Sequence, residues 1–193
     1  MNAGEIVEKV KMFADEAHGD QMRKYANERY IVHPIRVMEI VREFSQEVPM
    51  LAAALLHDVL EDTSVSPEQL KYFLDSVMSQ EDSERTFTLV KELTDVYIKA
   101  NYPKLNRRTR RSKEAERLSS TSEDAQTIKY ADIIDNVNDI STHDTDFALV
   151  YMRESKQLLA AMSKGNEKLY VRAQAVVDEA MKQHFSKANI KAL

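Results

Sequence analysis

The stretch Met50-Leu51-Ala52-Ala53-Ala54-Leu55-Leu56 is apolar on every side and runs directly into His57-Asp58-Val59-Leu60-Glu61-Asp62. A helix with no polar face cannot lie on a surface, so a chain that contains one must wrap further elements around it. The groups at its end are of the opposite kind, because His57, Asp58, Glu61 and Asp62 can bind metal or move protons. On a continuous helix of about 3.6 residues per turn they lie about 0°, 100°, 40° and 140° from His57, within one half of the surface. Carboxylates emerging from a buried helix need a counter-charge, since an unpaired buried carboxylate is strongly unfavourable. A metal ion or a cluster of basic side chains meets that need. A solvated acidic helix end is the competing reading, and the apolar flank fits it poorly.

The rest of the chain points to an all-α fold. Only three glycines and four prolines punctuate 193 residues, and long stretches are rich in Ala, Leu, Glu, Lys and Met, which favour helix over strand. The length suits one domain with a sizeable core, here a single-domain helical bundle over 1–193. A first helix is expected from Ala3 to His18, with Ile6, Val7, Val10, Phe13, Ala14 and Ala17 on its inner face and Gly19 ending it. His33-Pro34 opens a second, with proline at the first helical position and His33 at or near the N-cap. The third helix carries the 57–62 motif. Ser66-Pro67-Glu68-Gln69 reads as a capping box for the next, and another runs through Glu84 to Thr94. Lys104 to Leu118 lacks an apolar stripe and is either a solvent-facing helix or a mobile segment. A helix bearing Ile128, Ala131, Asp132 and Asn136 follows, then a polar Ser141–Thr145 loop. Helices at about 147–162 and 166–185, separated by Lys164-Gly165, read as scaffold.

With no cysteine in the chain, disulfides, thiolate nucleophiles and cysteine zinc sites are excluded, and any metal must use His and carboxylate ligands. The N-terminus lacks a basic segment followed by an apolar core, and no apolar run approaches the ~20 residues that cross a bilayer. The expectation is a soluble cytoplasmic protein without a membrane partner. The net charge is −5, yet Lys104 to Arg117 carries seven basic and two acidic residues. A basic patch on an acidic protein suggests an anionic ligand. Nucleic acid fits less well, because the patch has no interleaved stacking aromatics. Among five histidines, His57 and His33 have the settings expected of ligands. Asp132 and Asn136 lie one turn apart on one face, with Asp135 and Asp139 on another. Solvated acidic positions explain that local pattern equally well.

Taken together, His33, His57-Asp58 and Asp132 resemble the metal-binding pattern of the helical HD superfamily of metal-dependent phosphohydrolases. RKYANERYIVHPIRVMEIV, AAALLHDVLEDT and KYADIIDN are similar to three successive motifs of the hydrolase domain in Rel/SpoT-type alarmone enzymes. The likeness covers about Ala17 to Asn136 and leaves no room for the synthetase and regulatory domains of the long enzymes, so the chain looks like a small alarmone hydrolase. The resemblance implies that His33, His57, Asp58 and Asp132 hold one divalent ion, usually manganese, a metal that oxygen and nitrogen ligands suit. It implies that Glu61 and Asp62 position or deprotonate the attacking water. Arg23 and Lys24 match a pair that contacts the nucleotide, Asn136 an asparagine at the ribose and phosphate, and Tyr151 an aromatic residue near the base.

The implied reaction is hydrolysis of the 3′-diphosphate of guanosine tetra- or pentaphosphate, releasing pyrophosphate and the 5′-nucleotide. Such a polyanion gives the basic segment a role, with Lys104, Arg107, Arg108 and Arg111 as candidates for its terminal phosphates. The chain departs from the family in two places. Ile133, Ile134 and Asp135 stand where many relatives have Arg-Leu-His, and the Tyr25–Arg29 loop lacks a frequent glycine. Adenosine alarmones, the 2′-phosphate of NADPH and simple nucleotides therefore stay open as alternative substrates.

Overall fold

The computed structural model describes residues 1–24, 26–143 and 145–191, and Tyr25 of the 25–29 loop lies outside them. The described residues form ten helices and no strand: α1 (Ala3–His18), α2 (Val32–Arg42), α3 (Val48–Leu56), α4 (Val59–Asp62), α5 (Pro67–Val77), α6 (Gln80–Leu93), α7 (Arg107–Ser119), α8 (Glu123–His143), α9 (Thr145–Ala161) and α10 (Glu167–Lys191). The only β-type pairing among them is an isolated antiparallel bridge, Met22 with Arg29, which closes the loop between α1 and α2.

The apolar run becomes α3, and every residue from Pro49 to Leu56 is buried. Helices α1, α2, α6 and α8 surround it, as a helix without a solvent face requires. Helix α8 organises the other half of the molecule by packing on α2, α9 and α10. Local chemistry sets the ends of several helices. Asn2 and Glu5 form a capping box on α1, and Gly19 ends it at φ 54, a left-handed conformation open to glycine. Ser66 and Gln69 form the expected capping box on α5. Gly165, between α9 and α10, lies so close to α8 that a Cβ there would stand 2.6 Å from Tyr130 Cε2 and 2.8 Å from the Thr127 nitrogen. The turn is pinned by the Lys164 N–H donating to Gln126 at 2.9 Å, the Asn166 N–H to Thr127 at 2.8 Å, and the Tyr130 hydroxyl to the Met162 carbonyl at 2.9 Å.

Four local expectations change. The helix does not continue through the 57–62 motif: His57 and Asp58 form a break between α3 and α4, so the four polar groups are set by that corner and not by one helical period. Helix α2 starts at Val32, with Ile31 as N-cap, which carries His33 inside the first turn and into the core. The basic segment is helical from Arg107, with Glu114, Ala115 and Leu118 buried. Helix α8 absorbs Ser141 to His143, which were expected in a loop, and Asp144 of that loop lies outside the described residues.

Candidate metal centre and cleft

Three segments meet at one point: the start of α2, the α3–α4 corner and the middle of α8. His33 and His57 are 1% and 2% exposed, and their rings meet edge to face at 5.1 Å between centroids. His57 Nε2 lies 3.1 Å from Asp58 Oδ2 and 3.7 Å from Asp132 Oδ1. His33 Nε2 lies 3.6 Å and 3.2 Å from the same two atoms. Metal–ligand bonds of about 2.1 Å put ligand atoms between about 3.0 Å (neighbouring) and about 4.2 Å (opposite) apart, so these separations are of the size that donors around one small cation have. The donor atoms of His33, His57 and Asp58 all lie within 4.8 Å of one another, while Asp132 approaches both imidazoles without joining that group. His57 Nε2 is buried and has no hydrogen-bond partner, and a cation would supply one.

Each imidazole is oriented from behind. His57 Nδ1 is 2.8 Å from the Ala54 carbonyl oxygen, and His33 Nδ1 is 2.7 Å from Asp135 Oδ2. A ring with Nδ1–H engaged in this way turns the Nε2 lone pair toward the cluster.

The electrostatics show a site short of positive charge. Burial alone would lower both histidines, but Asp58 and Asp132 raise His57 well above its ordinary value, and Asp132 with Asp135 raises His33. Burial works against ionisation of the two carboxylates as well. The two histidines nevertheless hold Asp58 below the usual range, and Lys129, followed by the histidines, holds Asp132 well below it. Without an ion the imidazole protons serve as the counter-charge, and a metal would displace them.

Lys129 is the fixed cation of the site. Its Nζ is 2.9 Å from Asp132 Oδ2, and although burial opposes its charge, Asp132, Asp95 and Glu61 raise its pKa well above the ordinary lysine value. Asn136 donates to Asp132 Oδ1 at 2.5 Å.

Beside the cluster stands the acidic pair. Loss of water around the Glu61 carboxylate, together with the like charge of Asp95, pushes Glu61 up to about 8, while Lys129 pulls the other way. Glu61 accepts a hydrogen bond from the Asp95 backbone N–H. Asp62 is also raised, by loss of water and by Asp58. The Tyr30 hydroxyl lies 2.6 Å from Asp58 and 3.0 Å from Asp62, so it links the cluster to the acidic pair.

A cleft opens from the cluster between α7, α8 and α9. Tyr30, Asp58, Lys129, Asp132, Asn136 and Tyr151 line it together with the apolar Leu118, Ile133 and Leu158. Arg111 enters it, paired with Asp95 at 2.9 Å and near Glu154 at 3.7 Å. Arg107 grips Glu154 through two bonds of 2.7 Å, and it lines the outer groove with Arg108, Arg111 and Arg153. Lys104 is exposed in the turn ahead of α7. Lys24 is exposed, with Nζ 5.7 Å from the centre of the Phe147 ring. Arg23 points inward, is 8% exposed, and pairs with Asp139 at 2.8 Å.

Sequence reasoning overlooked Tyr30, Lys129, Asp95, Asp135 and Glu154. A lysine three residues before Asp132 was the one local signal available; the others depend on contacts between distant segments. Buried Glu114 belongs with them. It accepts the Val96 and Tyr97 N–H groups at 3.1 and 2.9 Å, and so fixes the loop that carries Asp95.

Comparison with known proteins gives a consistent picture. A family model described as "HD domain" matches residues 11–164. A guanosine-3′,5′-bis(diphosphate) 3′-pyrophosphohydrolase of Aquifex aeolicus is 33% identical over 139 residues, which cover 69% of this chain and 17% of that protein. A probable enzyme of the same name from Mycoplasma pneumoniae is 26% identical over 171 residues, covering 82% of this chain and 21% of that protein. The chain thus spans about a fifth or less of the length of these curated relatives. A solved structure described as a metazoan ortholog of SpoT that hydrolyzes ppGpp and plays a role in starvation responses is 26% identical. It superposes with a TM-score of 0.74, covering 92% of this chain and 94% of that one.

Proposed function

The chain belongs to the HD domain family, and on that premise we propose that it is a manganese-dependent pyrophosphohydrolase that removes the 3′-diphosphate from (p)ppGpp to give GDP or GTP and pyrophosphate. The observation that carries the reading is the meeting of two imidazole Nε2 atoms with the Asp58 and Asp132 carboxylates, beside an acidic pair that is not consumed in the cluster. The names of the similar proteins support it.

His33, His57, Asp58 and Asp132 would hold a single ion, which when bound supplies a Lewis acid for a phosphoryl oxygen and makes nearby water more acidic. Glu61 and Asp62 orient the attacking water and take its proton, and a carboxyl with its pKa near 8 is matched to that task near neutrality. The water oxygen bonds to the phosphorus attached to the 3′-oxygen. The P–O3′ bond breaks, pyrophosphate departs, and the ribose oxygen takes up a proton. Lys129 holds Asp132 in place, and Asn136 sits where the ribose and its phosphate lie. Tyr151 stacks near the base and exposed Lys24 meets the nucleotide from the α1–α2 loop, while buried Arg23 acts from behind α8 through Asn136. Arg111, Arg107, Arg108 and Lys104 offset the charge of the phosphates.

Ile133, buried behind the cleft wall, brings no polar group that would distinguish guanine from adenine. The deciding assay gives manganese-loaded protein guanosine and adenosine 3′-diphosphates and NADPH, resolves pyrophosphate from orthophosphate, and includes His57→Ala as control. Pyrophosphate from the guanosine substrate, lost in His57→Ala, is the expected result. Orthophosphate alone from every substrate would overturn the proposal.

A further inference from the structure

The two histidines of the cluster are held by different means. His57 leans on the Ala54 carbonyl, an acceptor supplied by α3 itself. His33 depends on a side chain 102 positions away, Asp135, through a 2.7 Å hydrogen bond. Asp135 is in turn constrained from behind. Arg23 Nη2 lies 3.6 Å from the same Oδ2 atom, 2.8 Å from Asp139 Oδ2 and 3.4 Å from Asn136 Oδ1. All three charged side chains are buried, on the face of α8 away from the cleft and under the loop closed by the Met22–Arg29 bridge.

We propose that Asp135 is a positioning residue of the metal centre, and that Arg23 and Asp139 form the frame that keeps it in place behind His33. A neutral imidazole carries one N–H and one lone pair, so an acceptor at Nδ1 decides that the lone pair lies on Nε2, the atom that faces Asp58 and Asp132. The Arg23 guanidinium prevents the Asp135 carboxylate from swinging out of that position. The same arginine donates to Asn136, whose amide holds Asp132, so one buried guanidinium steadies two of the four donors. This rests on the reading of His33 as a ligand.

The test titrates Mn2+ calorimetrically into the metal-free full chain and its variants Asp135→Ala, Asp135→Asn and His33→Ala, with circular dichroism to check folding. Loss of the partner behind a metal-bound histidine typically weakens metal binding about 10–100-fold, the loss expected for Asp135→Ala. Asp135→Asn keeps the size and an acceptor oxygen and should fall between wild type and Asp135→Ala. The pattern expected of a positioning role is a weaker Mn2+ affinity with kcat at saturating Mn2+ kept near wild type. Mn2+ affinity within twofold of wild type for Asp135→Ala, or for Asp135→Asn should the alanine variant not fold, overturns the inference. Failure of the underlying reading looks different: wild type would then bind Mn2+ no better than His33→Ala.

Discussion

Replacing Lys129 with methionine tests the charge balance of the site directly. The variant keeps the length and apolar stem of the side chain and removes its charge, leaving Asp132 Oδ2 without the cation now 2.9 Å away. Asp132 is 5% exposed, so water cannot substitute fully. Removing one member of a buried ion pair typically costs about 3–5 kcal/mol, because the other charge loses its main partner, and the imidazoles at 3.2 and 3.7 Å compensate Asp132 only in part. For a chain of this size each kcal/mol moves the melting temperature by about 2–4 °C, so the metal-free variant should melt roughly 6–20 °C below wild type. Two further measurements separate this cause from a packing defect. Lys129→Met/Asp132→Asn should lose less than the two single variants together, with a coupling of about 0.5–3 kcal/mol. Mn2+ should also raise the melting temperature of Lys129→Met by more than that of wild type, since the ion supplies the missing charge. A metal-free loss below about 1 kcal/mol, the range of a surface ion pair, would refute the argument that Lys129 neutralises the cluster.

The remaining predictions concern the ion, the acidic pair and the scaffold. Because carboxylates raise both histidines in the metal-free protein, Mn2+ binding should release protons and tighten as pH rises, measurable by calorimetry in buffers of different ionisation enthalpy. Glu61→Gln should lower kcat about 10²–10⁴-fold while leaving Mn2+ affinity nearly unchanged. With Glu61 as base, wild-type activity should climb as pH rises toward 8, at a midpoint the ion shifts downward, and this limb should flatten in the variant. The same group acts on stability with the opposite slope. Its pKa is about 8 in the fold against an ordinary 4.5, so its contribution to the metal-free protein is complete below 4.5 and is lost as pH climbs through 8. Gly165→Ala forces the α9–α10 turn off Tyr130 and Thr127 and should cost about 1–3 kcal/mol in urea unfolding, with Mn2+ affinity retained.

Much of this architecture is legible in the sequence, for definite reasons. Met50–Leu56 predicts a surrounded helix because burial on all sides leaves no other pattern, and α3 is such a helix. The caps at Gly19 and Ser66 are local chemistry and appear as read. The corner at His57-Asp58 is not local, since an ideal period gives no hint that the helix breaks there. Asp135 and Asp139 fall on a second face of α8, where a solvated reading was reasonable; only Arg23, more than a hundred residues earlier, reveals why they are buried. The basic segment is only half legible for the same reason. Its net charge suggests a free anion-binding surface, while Arg107, Arg111 and Arg117 each already hold a carboxylate.

The donors of the cluster come from α2, the α3–α4 corner and α8, so the pocket exists only while α2 is packed on both α3 and α8. An ion held there has little to grip in a partly folded chain and much to lose when those helices separate. Its effect should therefore appear as slower unfolding, with the refolding rate nearly unchanged. On this view the metal acts as a latch on the finished bundle, and the rate at which a chelator extracts it becomes a clock for the opening of α2 from α8.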